Sequence, residues 1–311
     1  MPLIDSLQKD DRSPVTIADF ASQAVICQHL QSSFPDDRVV AEEDSEGLSR
    51  SENATLLRQV TAYVQRQYPD ASPSQVCSWI DHGMADTGLR FWALDPIDGT
   101  KGFLRNDQYA IALALLENGE PQVAVLGCPA LPFDMESPDG RRGVLFWAVR
   151  GHGAFIRHLG DDADLRVHVT SQDGRTPLRF LESVDSSHGD PDLQEAVVRS
   201  LPGNYPRLRM DSQAKYGLVS RGDASLYLRF PSPRQPDYRE RIWDHAAGVL
   251  LVEEAGGRVS DMFGGQLDLV SNQQMLNNVG VIVTNGTLHD TVLDAVQRAL
   301  ANRRPIQEQC A

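Results

Sequence analysis

Phe91-Trp92-Ala93-Leu94-Asp95-Pro96-Ile97-Asp98-Gly99-Thr100-Lys101-Gly102-Phe103 is the stretch on which the reading of this chain turns. Four apolar residues followed by Asp-Pro predict a buried strand that stops at Asp95, because proline cannot donate to a sheet ladder and fixes its own φ. Asp95 and Asp98 then stand at a strand end, spaced so that both can turn toward one point. The Gly99-Thr100 step that follows can present backbone N–H groups to an anion. Like charges held that close repel unless a cation lies between them. A divalent metal that binds both carboxylates and a phosphate oxygen reconciles these features, as Mg²⁺ does with one or two carboxylates plus substrate phosphates. An ordinary strand-to-turn connection whose aspartates cap a helix is the plainer alternative.

The 311 residues suffice for one large core or two associated halves. Hydrophobic residues make up 41% and charged ones 23%, the balance of a soluble globular protein, and no apolar run is long enough to span a bilayer. The first residues lack the basic and apolar regions of a secretion signal. Cys27, Cys77, Cys128 and Cys310 are scattered without Cys-x-x-Cys spacing, which suggests neither a disulfide framework nor a zinc site. A reducing, cytoplasmic compartment is the expectation. The net charge of −14 argues against a nucleic-acid polymer as partner, since that needs a basic footprint. A small anionic substrate is still allowed if metal ions supply the positive field locally. Lys9, Lys101 and Lys215 stand against twenty-six arginines, so each lysine is a candidate for a task that wants a compact point charge.

Outward from the central stretch, the spacing predicts a helix that starts at Thr16 and carries Asp19 in its first turn, where the macrodipole favours a carboxylate. Val39 to Ala41 reads as a short strand followed by the acids Glu42-Glu43-Asp44. Leu56 to Tyr68 and Pro73 to Met84 are amphipathic. Tyr109 to Leu116 and Pro121 to Leu126 form a hairpin around Asn118-Gly119, a pair that accepts positive φ at both turn positions. Gly143 to Val149 and Ala154 to His158 form a second pair of strands. A boundary near Ser171 to Thr176 divides the chain into residues 1–172, α+β and metal-binding, and residues 173–311, an α/β substrate domain. In that second half Leu178 to Val184, Ala224 to Phe230 and Val281 to Thr284 read as strands, while Asp190 to Leu201, Gln213 to Ser220, Trp243 to Ala255 and Leu288 to Ala301 read as helices. Asp244 falls at a helix start, where an isolated aspartate reads as a cap. Trp92 and Trp243 read as core and His245 as structural.

Glu42-Glu43, Asp95-Pro96-Ile97-Asp98-Gly99-Thr100 and Trp243-Asp244-His245-Ala246-Ala247-Gly248 together resemble the signatures of the inositol monophosphatase superfamily of lithium-sensitive, magnesium-dependent phosphatases. Within it the chain is most similar to the 3'(2'),5'-bisphosphate nucleotidases of the fungal and plant salt-tolerance type. That likeness lies in Ser13 to Gln23, Asp98 to Arg105, Met210 to Tyr216 and Tyr227-Leu228-Arg229.

The resemblance implies an α/β protein with a five-layered αβαβα sandwich of the sugar-phosphatase type and a site where the halves meet. It implies two or three Mg²⁺ per site. Glu42, Asp95 and the Ile97 carbonyl would hold one ion, and Asp95, Asp98 and Asp244 a second. Thr100 and Asp19 would orient the attacking water, with Glu42 as a further catalytic carboxylate. Asp98, Gly99 and Thr100 would take the phosphate, and Ser187, His188, Ser212, Lys215, Arg229 and Asp244 the rest of the substrate. The activity implied is removal of the 3'-phosphate of adenosine 3',5'-bisphosphate, and of the sulfated form, 3'-phosphoadenylyl sulfate, from sulfate assimilation. An inositol phosphate phosphatase, or a catalytically idle metal or nucleotide sensor, shares many of these residues and stays open. Two departures stand out. Family members usually carry a further helix before the Lys9 loop, which leads to the expectation of a face covered by a second copy in a homo-oligomer. Asn106-Asp107-Gln108 stands where the family more often has Gly-Glu-Gln, a conservative change.

Overall fold

The computed structural model describes residues 6–8, 14–171, 178–184 and 189–303. In chain order its elements are β1 (Ser6–Gln8), β2 (Pro14–Thr16), α1 (Ile17–Ser33), β3 (Arg38–Ala41), α2 (Ala54–Val64), α3 (Pro73–Asp81), β4 (Arg90–Asp98), α4 (Thr100–Leu104), β5 (Ala110–Glu117), β6 (Glu120–Pro132), β7 (Arg142–Val149), β8 (Gly153–His158) and β9 (Leu165–Val167). There follow β10 (Phe180–Glu182), α5 (Pro191–Ser200), β11 (Arg207–Arg209), α6 (Ala214–Ser220), β12 (Leu226–Arg229), α7 (Ala246–Glu254), β13 (Arg258–Ser260), β14 (Val281–Thr284) and α8 (His289–Arg303). Strands β3 to β9 lie in sequence order in one seven-stranded sheet, parallel only between β3 and β4. The second sheet has the order β11-β10-β12-β14-β13, with β10 parallel to both its neighbours.

The alternation of side chains along a strand decides the layering. Trp92 and Leu94 pack with Cys27 and Leu30 of α1, whereas Phe91 and Ala93 join the core between the sheets. In β12, Tyr227 faces that middle core while Leu226 and Leu228 pack on α5 and α8 through Leu193, Val197, Val292 and Val296. Helices α6 and α7 fill the middle layer. Every residue from Ala246 to Val252 is buried, as suits a helix covered on both sides. The result is helix, sheet, helix, sheet, helix. The hairpin at Asn118-Gly119 forms with φ of 51° and 89° at its two central residues, and Trp92, Trp243 and His245 are all buried.

Three expectations need correction. Strand β4 does not stop at Asp95 but runs on to Asp98, with a register shift against β5 between those residues. Pro96 sits inside this bulge, where the ladder asks for no N–H. The helix expected from Trp243 is broken into a 3₁₀ turn, Ile242–Asp244, and then α7, because His245 adopts φ −135° and ψ −34° between them. No side chain caps α7 by a hydrogen bond, so Asp244 is not a cap. Strand β10 is also shorter than Leu178 to Val184, since only Phe180 to Glu182 find partners in β11.

Candidate active site

The bulge in β4 sets the site. Asp95 continues the face of Phe91 and Ala93, toward the layer between the sheets, and is only 1% exposed. Its Oδ1 accepts the Ile97 N–H at 3.2 Å. Gly99 has φ 85°, and a Cβ there would come within 2.9 Å of the Ser212 Cβ, so this glycine lets the second half of the chain close onto the first. Thr100 opens α4 with its Oγ1 3.2 Å from the Ile97 carbonyl and 3.3 Å from Asp19 Oδ1. Asp19 uses its two oxygens differently. Its Oδ2 closes a capping box with Thr16, accepting the backbone N–H at 2.8 Å and the hydroxyl at 2.6 Å, while Oδ1 faces Thr100. Glu42 follows directly on β3, which runs parallel beside β4 with Ala41 opposite Leu94.

The second half supplies the other wall. Ser212 is a non-glycine residue at φ 66°, and this left-handed turn aims the Gln213 N–H at Asp98 Oδ2. Such a backbone costs roughly 1–3 kcal/mol and is found where the surroundings fix it. Lys215, 3% exposed, donates from Nζ to the Met210 carbonyl at 3.1 Å and stands 5.1 Å over the Tyr227 ring. Arg229, on β12, gives its Nε to Glu240 Oε2 at 2.7 Å. Tyr216 would clash with any Cβ at Gly248, so the small residues of α7 are what let α6 approach.

Glu42, Asp95, Ile97, Asp98, Gly99, Thr100, Ser212, Lys215, Arg229 and Asp244 all line one cavity of about 230 Å³. Asp19 reaches it through Thr100. Ser187 and His188 lie outside the described residues. Ser183, Tyr238 and Glu240 escaped the sequence reading: the first two line the cavity, and the third is buried behind Arg229. Glu240 sits between Arg239 and Arg241, a run that looks like solvated surface, and Tyr238 follows a Pro-rich loop. Only their nearness to Asp244 in the chain could have flagged them.

Burial raises the carboxyl of Asp95 well above its ordinary value, and the charges of Glu42, Asp98 and Asp244 raise it further. Burial likewise raises Asp98, against the pull of Lys215, and raises Asp244, against the pull of Arg229. The same burial lowers the Lys215 ammonium to about 8, opposed by Asp98. Burial therefore holds these carboxyls above their ordinary values in spite of the cations the chain places near them. Their hard oxygens, with the Ile97 carbonyl, are the donor set that Mg²⁺ takes. Ligand atoms of Glu240, Asp244 and His245 also lie within 4.8 Å of one another, but that group already holds the Arg229 guanidinium.

Comparison with known proteins gives this arrangement its class. The inositol monophosphatase family model matches residues 4–301. The 3'(2'),5'-bisphosphate nucleotidase of Schizosaccharomyces pombe is 42% identical over 305 residues, covering 93% of this chain and 85% of the relative. That of Oryza sativa is 41% identical over 310 residues, covering 94% and 86%. In fold, an IMPase of Thermotoga maritima agrees with a TM-score of 0.63 at 23% identity, over 96% of this chain and 90% of the other. The chain belongs to the inositol monophosphatase family. It is an enzyme of the phosphoric monoester hydrolase class. No helix among the described residues is long and apolar enough to cross a membrane.

Proposed function

We propose that the chain removes the 3'-phosphate of adenosine 3',5'-bisphosphate, and of 3'-phosphoadenylyl sulfate, in a magnesium-dependent hydrolysis. The observation that carries this reading is Lys215, a buried cation in the wall of a cavity whose other wall is carboxylate. A nucleotide bisphosphate keeps one phosphate after the other leaves, and a buried anion without a cationic partner is costly. Lys215 and Arg229 suit that remaining phosphate, one as a point charge and one as a planar fork. The names of the relatives from fission yeast and rice point the same way.

In this reading Glu42, Asp95, the Ile97 carbonyl, Asp98 and Asp244 hold the Mg²⁺ ions. Bound there, the ions supply a water of lowered pKa and neutralise phosphate charge. The Thr100 hydroxyl donates to Asp19, which leaves its lone pairs to accept the proton side of the attacking water and fix its direction. The N–H groups of Gly99 and Thr100 take equatorial phosphate oxygens, where charge builds in the transition state. The test is phosphate release from adenosine 3',5'-bisphosphate, its sulfated form and inositol 1-phosphate, with and without Mg²⁺. The two nucleotides should be turned over with much the higher kcat/KM, only with Mg²⁺, and leave the 5'-phosphorylated product. Preference for inositol 1-phosphate overturns the substrate, and undiminished release in chelator overturns the metal.

A further inference from the structure

Glu240 has no part in the chemistry above, yet it is buried beside Asp244 at the back of the cavity. Its Oε2 takes the Arg229 Nε at 2.7 Å and lies 3.4 Å from His245 Nε2. Because the Glu240 carboxylate can only accept, the His245 ring proton belongs on Nε2 facing it, which leaves Nδ1 to accept the Tyr216 hydroxyl at 2.6 Å. Burial works to raise the Glu240 carboxyl, but the Arg229 charge and the His245 hydrogen bond outweigh it and hold the group at about 2. Glu240 is thus a fixed anion. The Tyr227 and Tyr238 hydroxyls flank the same guanidinium.

Arg229 feels two carboxylates, since the Asp244 charge acts on it beside that of Glu240, and oxygens of the two acids lie within 4.8 Å of each other. A guanidinium that turned from Glu240 to Asp244 would put a fixed positive charge where a cation is to bind. At such separations two like charges repel strongly, even at an effective dielectric of about 20. We propose that Glu240 is a positioning residue that claims Arg229 and so keeps the Asp244 carboxylate open to a divalent cation. The inference rests on the reading of Asp244 as a cation ligand. It adds that the ligand's availability is set by a carboxylate that never touches the ion.

The test measures Mn²⁺ binding to the metal-stripped full chain without substrate, through the loss of the free-ion electron paramagnetic resonance signal. Glu240→Gln removes the charge and keeps the shape, and should weaken binding on the order of ten- to a hundredfold, the range for groups that orient metal ligands. Arg229→Met removes the competitor and should bind Mn²⁺ at least as tightly as the parent. The double variant Glu240→Gln with Arg229→Met should recover the affinity of Arg229→Met alone, a rescue that a merely structural role for Glu240 does not give. The proposal is overturned if Glu240→Gln binds like the parent, if the double variant stays as weak as Glu240→Gln, or if Arg229→Met itself loses affinity. That last arm decides the matter should Glu240→Gln fail to fold. A parent chain that binds no Mn²⁺ overturns the cation reading itself, and this inference with it.

Discussion

Thr100 Oγ1 lies 3.3 Å from Asp19 Oδ1 across a separation of 81 residues in the chain. The other oxygen of that carboxylate is pinned by the Thr16 N–H at 2.8 Å, so Asp19 cannot rotate away without undoing the start of α1. A hydroxyl held this way is aimed, and its lone pairs are offered to one point. Thr100→Val keeps the volume and removes the hydroxyl. It should lower kcat by about 10²–10⁴-fold, the range for positioned proton transfer, while KM and the melting temperature stay near the parent. Steady-state kinetics beside a thermal melt decides it, and a kcat within a few-fold of the parent rejects the role given to Thr100.

Asp95 makes the opposite kind of prediction, a gain in stability bought with function. Its carboxyl is buried among like charges and pushed well above its ordinary range. In chelator at neutral pH, Asp95→Asn should therefore melt a few degrees higher than the parent, because the amide needs no counter-charge and can still accept the Ile97 N–H. Phosphate release should be lost. A variant that melts lower in chelator would mean that Asp95 is structural, held by its neighbours and not by an ion.

The lining of the cavity was legible where it falls on residues that also shape the local fold. Asp95 and Asp98 could be read from the apolar run before them and the Gly-Thr after them, since burial and turn chemistry are both local signals. The bulge that carries β4 through Pro96 was not legible, because it depends on how Ala110 and Ala112 of the neighbouring strand pair with it. Asp244 falls in the 3₁₀ turn before a break at His245, whose ring is held by Tyr216 and Glu240, contacts that no helix propensity reports. Ser212 gives no hint of its left-handed backbone, which goes with its place against Gly99 and with the Gln213 N–H bond to Asp98. Propensity and periodicity report what a residue does to its own segment. The second wall of the cavity is made of residues whose surroundings come from other segments.

His289 gives a pH dependence unconnected with the site. It is fully buried at the start of α8, with Nε2 2.9 Å from Ser260 Oγ and Nδ1 3.1 Å from Thr284 Oγ1. Burial pushes its imidazole down to about 4, and the Arg258 charge adds to this. The folded value lies below the unfolded one of about 6.5, so the stability is complete above the unfolded value and is lost as pH falls toward 4. At pH 5 the loss should be about 2 kcal/mol. Urea denaturation at pH 7.5 and pH 5 should show His289→Gln losing less stability between the two than the parent. Equal losses would show that the histidine takes up its proton at the same pH in both states.

Lys215 decides between substrates. Its ammonium is buried, gives one hydrogen bond to the Met210 carbonyl, and lies close enough to Asp98 for each to shift the other's proton equilibrium. At about 8 it is still mostly charged at neutral pH. Two roles compete for that charge: steadying Asp98, which serves every phosphoester, and meeting the phosphate that a nucleotide bisphosphate retains. Lys215→Met keeps an unbranched side chain of similar length and removes the charge. If the second role dominates, kcat/KM for adenosine 3',5'-bisphosphate falls by about 1.5–3 kcal/mol, the range for a hydrogen bond to a charged group, and inositol 1-phosphate is affected much less. Arg229 keeps its pair with Glu240 in this variant, so the fall measures what Lys215 adds beside it. Equal losses on the two substrates would assign Lys215 to Asp98, and the preference for a nucleotide bisphosphate would then lose its main physical support.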